Sequence, residues 1–251
     1  MKKTTLLYVF SILIVFCRCE KPSDCIESSG ATLTKDFIVS PFTRIDVEAG
    51  IEVILTEGSE YKVQIQTGEN LIENVAVSQD ATTLYLKDNA TCNWVREYGQ
   101  TKALITAPKI TEIYSKTDRN ISSNGILTYP NLKLVAVDNK GDDRDGAGTG
   151  DFIMQISNNR FEIQNNSYSR YYISGNTNYF GVGIYNGDGR VESQNFLAKN
   201  IWIYHRGSND IIVNPTEKVE GKLVSTGNVI LKNNPPINTL QALYQGQIIY
   251  N

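Results

Sequence analysis

The sequence is poor in the residues that most site chemistry requires. It has one histidine among 251 residues, His205, and four cysteines that include no CxxC pair, which leaves no basis for a zinc centre built from Cys and His ligands. A Ser-His-Asp arrangement would have to run through His205. That residue lies in Ile203-Tyr204-His205-Arg206-Gly207, at the end of an apolar alternation and with no nucleophile elbow beside it. A lone histidine at a strand end reads as a surface residue, so no catalytic residue, metal ligand or cofactor is assigned. No segment approaches the about 20 consecutive apolar residues needed to span a bilayer. No basic run is present either, which argues against nucleic acid as a partner. Long amphipathic helical patterns are also missing; residues 70–77 have room for one short turn.

What is present begins at the N terminus. Lys2 and Lys3 precede an apolar run from Leu6 to Phe16, followed by Cys17, Arg18 and Cys19, the build of a secretory signal. A cysteine directly after the apolar run points to lipidation, and two acyl chains on its sulfur would anchor the chain firmly. Cys19 is the preferred site, since Cys19-Glu20-Lys21-Pro22-Ser23-Asp24 reads as a polar tether, although Arg18 stands where a small residue is usual. An ordinary signal peptide cleaved nearby is the alternative. The expected organisation is a signal at 1–18, a lipid-anchored tether at 19–35 and a single domain at 36–251. Without residues 1–18 the chain carries 21 basic and 27 acidic residues, a balance unsuited to anionic partners. In an exported protein Cys25 and Cys92 are a candidate disulfide that would staple the tether to the domain; two unpaired thiols remain the alternative.

The body of the chain is patterned for strands. Ile51, Val53 and Leu55 alternate with polar residues, as do Tyr61, Val63 and Ile65, and the turn residues between them predict a β-hairpin over Gly50–Gln66. Beyond about residue 120, short apolar bursts recur at Leu132, Phe152, Tyr171, Val191, Ile211 and Val229, each preceded by a polar corner residue. A second series runs through Phe161 and Ile163, Phe180 and Val182, Ile201 and Ile203, and the surroundings of Leu223. Gly150, Gly189 and Gly227 lie at or beside the corners, where a turn through conformations that a Cβ penalises is expected. A step near 20 residues predicts a parallel β-helix, a solenoid in which each coil stacks on the last. A β-sandwich with regular turns is the competing architecture.

Two clusters invite a functional reading. The stretch from Asp138 to Asp151 is rich in Asp and Gly, yet lacks the alternating ligands and distant glutamate of a calcium loop, so a solvated bulge is expected. The aromatic residues Tyr168, Tyr171, Tyr172, Tyr179, Tyr185, Trp202 and Tyr204 fall in consecutive coils. If Tyr172, Trp202 and Tyr204 point outward they form a candidate ligand surface; the alternative is that some of these rings fill the core. A polysaccharide-cleaving enzyme would instead need carboxylates about 5–9.5 Å apart. Asp151 and Asp210 occupy equivalent corners three coils apart, and no dyad emerges. The C-terminal run Leu243–Tyr250 reads as a last strand whose open edge favours a homo-oligomer through the solenoid ends.

Several segments together resemble a known family: Phe42-Thr43-Arg44-Ile45-Asp46-Val47 leading into Gly50-Ile51-Glu52-Val53, Gly68-Glu69-Asn70-Leu71, Cys92-Asn93-Trp94-Val95-Arg96, Ala107-Pro108, Gly207-Ser208-Asn209-Asp210, and Ser225-Thr226-Gly227-Asn228-Val229. The chain is similar in these to the autotransporter-adhesin head domains called GIN domains, common in exported proteins of the Bacteroidetes. Glu52 stands where the motif would have Asn. The resemblance implies an all-β, right-handed parallel β-helix. It also implies an extracytoplasmic location. With the signal, the candidate lipid anchor and the absence of a catalytic pattern, the expectation is an outer-membrane or cell-surface protein with a non-enzymatic role in binding a glycan, matrix or protein ligand at the cell envelope; a polysaccharide-acting enzyme is the alternative.

Overall fold

In Phe152-Ile153-Met154-Gln155-Ile156 the side chains are alternately buried and exposed, the two-residue period that puts successive Cβ atoms on opposite faces of a sheet. That alternation runs through nearly every element of the computed structural model, which describes residues 28–90, 99–138 and 146–251. The strands are β1 (Thr32–Phe37), β2 (Arg44–Val47), β3 (Ile51–Glu57), β4 (Lys62–Gly68), β5 (Val75–Gln79), β6 (Thr83–Asp88), β7 (Thr101–Ala107), β8 (Glu112–Ser115) and β9 (Ile121–Leu127). They continue as β10 (Asn131–Ala136), β11 (Phe152–Asn165), β12 (Arg170–Ile184), β13 (Arg190–His205), β14 (Ile211–Leu223), β15 (Val229–Leu231), β16 (Ile237–Ala242) and β17 (Ile248–Tyr250). The only helical piece among the described residues is the 3-10 turn Ile72–Asn74, within the window expected for one. The fold is all-β.

From β9 onward every ladder is parallel, and the register is nearly constant. Phe152 pairs with Tyr171, Tyr171 with Val191, Val191 with Ile211, Ile211 with Val229 and Val229 with Ile248. As far as Val229, these are the residues that the sequence period singles out from Phe152 onward. Leu132 is the exception: it pairs with Phe161, while the partner of Phe152 is Ile121. Leu132 therefore belongs to the second column, which runs on through Phe180, Ile201 and Val219. Step length cannot separate the columns, because each tier contributes apolar bursts to both. Both halves of β12 and of β13 pair with the same two neighbours, whereas the outer long strands split: the first half of β11 pairs with β9 and its second half with β10, and β14 divides likewise between β15 and β16.

Like residues stack on like along these columns. The Phe152 and Tyr171 rings lie 4.9 Å apart and 6° from parallel, close to the about 4.8 Å that separates hydrogen-bonded strands. Phe161 stacks on Phe180 at 5.5 Å, and Phe196 meets both edge-on. Tyr171, which belongs both to the recurring apolar bursts and to the aromatic series left open between surface and core, is fully buried. Its hydroxyl accepts a hydrogen bond from Asn165 Nδ2 at 3.1 Å, which answers the cost of burying a phenol.

The N-terminal region departs from expectation. Residues 51–66 do not form a hairpin: β7 lies between β3 and β4, parallel to β3 and antiparallel to β4, and β1 pairs antiparallel on the far side of β4. Alternation in β3 and β4 is equally satisfied by a third strand between them, so local pattern cannot name the partner. The real hairpin is β5–β6. The corner glycines also act differently than expected. Neither Gly150 nor Gly227 has a left-handed φ; a Cβ on Gly150 would lie 1.9 Å from the Arg119 carbonyl oxygen, and one on Gly227 would lie 2.3 Å from both Asn209 O and His205 Nε2. They are required by the close stacking of one corner on another. At the C terminus only Ile248–Tyr250 of the expected last strand is extended, and it forms β17.

His205, expected at the surface, is fully buried. It occupies a column with Asn165, Ile184 and Leu223. Its Nδ1 accepts from the Gly207 amide at 3.3 Å and its Nε2 lies 2.8 Å from Asn209 O, so Nε2 carries the proton. Asn165 closes its own tier the same way, accepting from the amide of Ser167 two residues on. Burial holds the His205 pKa below its ordinary value of 6.5, against the opposing pull of the Asn209 carbonyl and of Asp210.

Two predictions follow from the core. Phe180→Ala removes a ring stacked on one side and met edge-on from another, and should cost about 3–5 kcal/mol in urea denaturation. A loss below about 1 kcal/mol would mean that the column is not tightly packed. His205 is neutral when folded and protonates more readily when unfolded. Its contribution is therefore complete above pH about 6.5 and is lost as pH falls below that value. His205→Asn, which imports the solution used at Asn165, should flatten the stability-versus-pH curve between about pH 7 and 5 relative to the parent chain. Superimposable slopes would refute the assignment.

Candidate functional site

The outward-facing residues of the tiers are stacked by the same register as the core. Glu162, Gly181, Trp202 and Glu220 share one ladder position, followed by Thr239 in β16. Gln164, Gly183, Tyr204 and Lys222 share the next outward position, followed by Gln241. In β12 the alternation Phe180-Gly181-Val182-Gly183-Ile184 puts glycine at both outward sites, and the missing side chains leave a groove. Gly181 and Gly183 are themselves buried, with the Tyr179 and Tyr185 rings reaching over them; together with Arg160, Glu162 and Trp202 they line a groove of about 230 Å³.

Aromatic rings fill the flanks in an ordered way. Tyr179 lies under the Arg160 guanidinium, whose carbon is 4.0 Å from the ring centroid, within the range of a cation–π contact. Burial pushes the Tyr179 hydroxyl above its ordinary pKa, which keeps it a neutral donor. Tyr185 packs on Tyr204 at 5.7 Å, and Lys222 Nζ sits 5.5 Å from the Tyr204 centroid. Trp202 is 37% exposed and borders a second depression of about 370 Å³ on its other side, lined by Glu220, Gly221, Lys222, Thr239 and Gln241.

Charge on this face is balanced at short range. Arg160 is paired with Glu162, and Lys218 Nζ lies 2.7 Å from Glu220. The two carboxylates share a ladder position with Gly181 and Trp202 between them. Three strand spacings separate them by about 14 Å, beyond the about 9.5 Å limit for an acid–base pair acting on a glycosidic bond. Both ring nitrogens of His205 are engaged within its own turn, as described above.

The expected ligand residues fall on two faces. Trp202 and Tyr204 belong to the groove face. Tyr172 is 41% exposed but stands in the first ladder, paired with Ile153 and Glu192, where it lines a separate depression of about 220 Å³ with Ser123, Gln155 and Gln194. The two depressions share no lining residue. Gly181, Gly183 and the Arg160–Glu162 pair were missed by sequence reasoning. The available signal was glycine at alternate positions inside a strand, which marks close approach of a ligand or of another chain segment. Cys19, Cys25, Cys92 and residues 139–145 of the acidic stretch lie outside the described residues. Of that stretch, Asp138 accepts a hydrogen bond from the buried Lys116 Nζ at 2.9 Å, and Asp151 accepts one from the Arg170 amide at 3.2 Å.

The same architecture occurs in solved structures. A protein of Bacteroides fragilis described as a putative adhesin aligns with a TM-score of 0.78 at 20% identity, covering 90% of this chain and 100% of its own. Another so described, from Parabacteroides distasonis, aligns with a TM-score of 0.63 at 12% identity, covering 89% and 99%. A third, from the same species and described as a putative lipid binding protein, gives 0.62 at 15% identity, covering 88% and 97%. At these identities the likeness concerns the fold. No curated protein matches the sequence. The family model "Putative auto-transporter adhesin, head GIN domain" matches residues 41–235, which take in the groove, its aromatic walls and the stacked columns as far as Val229, and the chain therefore belongs to that family.

Proposed function

We propose that this chain is a non-enzymatic binding module of the cell envelope, wound as a right-handed β-solenoid and presenting its lateral groove face to an extracellular ligand. The signal at 1–18 exports it, a lipid on Cys19 holds it to the outer membrane or cell surface, and the tether leads from Cys19 into the domain. The observation that carries this reading is the groove over Gly181 and Gly183. It is an aromatic-walled, charge-balanced surface open to solvent, suited to contact by stacking and hydrogen bonding. The adhesin description of the family points the same way. A second reading, an enzyme acting on polysaccharide, would use the carboxylates of the same face, but the spacing of Glu162 and Glu220 and their pairing with cations weigh against it.

Two experiments test this. In a bacterial host that processes lipoproteins, the full chain should sediment with membranes and Cys19→Ala should move it to the soluble fraction. Equal distribution of both forms would overturn the anchor. On a glycan array, the chain from residue 20 onward should retain ligand, and the retained glycans should keep their length after prolonged incubation. The appearance of shortened products would replace the binding reading with the enzymatic one.

A further inference from the structure

The groove and the second depression are halves of one feature. Both are bordered by Trp202, and together they cross the outward face from Arg160–Gln164 in β11 to Ile237–Gln241 in β16. Successive tiers advance by one strand spacing, so this track is about 19 Å long. Along it the outward positions read Glu162, Gly181, Trp202, Glu220 and Thr239. An occupant therefore meets a carboxylate, a glycine flanked by the Tyr179 ring, an indole, a second carboxylate and a hydroxyl at even intervals.

We infer that this track binds an extended, uncharged glycan chain lying parallel to the stacking axis, with Trp202 as the platform between two groups of sugar subsites. This rests on the binding-module reading and names its ligand class. Three features of the face select that class. First, the backbone donors and acceptors of β12 and β13 are engaged in ladders on both sides, so a peptide cannot attach by adding a strand; contact must come from side chains. Second, those side chains are aromatic rings together with amides, hydroxyls and carboxylates, which fit the apolar faces and hydroxyl edges of pyranose rings. Third, Arg160 is paired with Glu162 and Lys218 with Glu220, so the surplus charge along the track is the single ammonium of Lys222, held over the Tyr204 ring, a weak field for an anionic chain. The groove over the two glycines, about 230 Å³, is smaller than the about 300 Å³ at which pockets for drug-sized ligands begin. It accommodates one ring and passes the chain on over Trp202.

Gly181 and Gly183 make the inference testable without disturbing the fold. Neither has a left-handed φ. A Cβ at Gly181 would come 3.2 Å from the Tyr179 ring and 3.3 Å from Glu162, and one at Gly183 would come 2.8 Å from the Tyr185 ring. The neighbours are ends of side chains, and valine suits a strand position, so Gly181→Val fills the groove while the tiers stay in register.

The chain has two tryptophans, so Trp94→Phe leaves Trp202 as the sole indole emitter. In that background, linear xylo-, manno- and cello-oligosaccharides of one to six units are titrated, with oligogalacturonides as the anionic comparison. The expected result is emission that shifts on binding of at least one neutral series. Affinity should rise with length to about four or five units and then level off, as about 19 Å of track requires. Gly181→Val and Trp202→Ala, the latter followed by calorimetry, should each weaken binding about tenfold or more, while Tyr172→Ala leaves it unchanged. Binding that ignores chain length, survives Gly181→Val or is lost in Tyr172→Ala would overturn the axial track and leave the binding-module reading standing. Preference for the anionic series would overturn the charge argument. Silence for every series would overturn the glycan assignment, and the module reading would then be judged by its own array and fractionation tests.

Discussion

The in-register parallel ladder is the constraint on which this molecule depends. Once Phe152 is paired with Tyr171, and Tyr171 with Val191, each side chain must sit about 4.8 Å from its equivalents above and below. Inside, this forces flat rings to stack and lets Phe196 close the gap edge-on. At the corners it brings one turn so near the next that Gly150 and Gly227 have no room for a Cβ. A parallel stack of this kind gains stability tier by tier, since each tier buries its apolar face only against its neighbours.

The same constraint builds the outer surface. Outward residues fall into rows for the reason inward ones do, so a glycine pair in one tier becomes a trough bounded by its neighbours, and an indole one tier on becomes its wall. Tyr179 and Tyr185 lie along the trough because the glycines between them leave space to occupy. The polar turns obey the rule as well. Asn165 and His205 stand in one column and satisfy equivalent amides with different acceptors, so the geometry of the corner, rather than the identity of the side chain, is what the stack requires.

Much of the repetitive half was legible in the residues. Phe152, Tyr171, Val191, Ile211 and Val229 recur at near-constant steps because each must contribute an apolar side chain to one column. Legibility failed where two columns supply similar residues, as for Leu132, and where a pairing spans a long stretch of sequence. Nothing local in Ile51–Glu57 or Lys62–Gly68 records that Thr101–Ala107 will come between them. For the candidate site, the aromatic residues stood out by type, but their grouping did not: Tyr172 parts from Trp202 and Tyr204 because it stands in the first half of its strand, in the ladder of Ile153 and Glu192, while they stand in the second half of β13.

By itself, then, the sequence determined the strand content, the near-20-residue step and the scarcity of histidine and cysteine. These are written in composition and in a two-residue period, which are local properties. Tertiary structure alone decided which strands pair at the N-terminal end, that His205 is interior, and that Gly181, Gly183, Trp202 and the Arg160–Glu162 pair share one groove. The physical reason is that alternation places neighbouring residues on opposite faces without saying which face is inside or which strand lies alongside. Only the register of the assembled tiers supplies both.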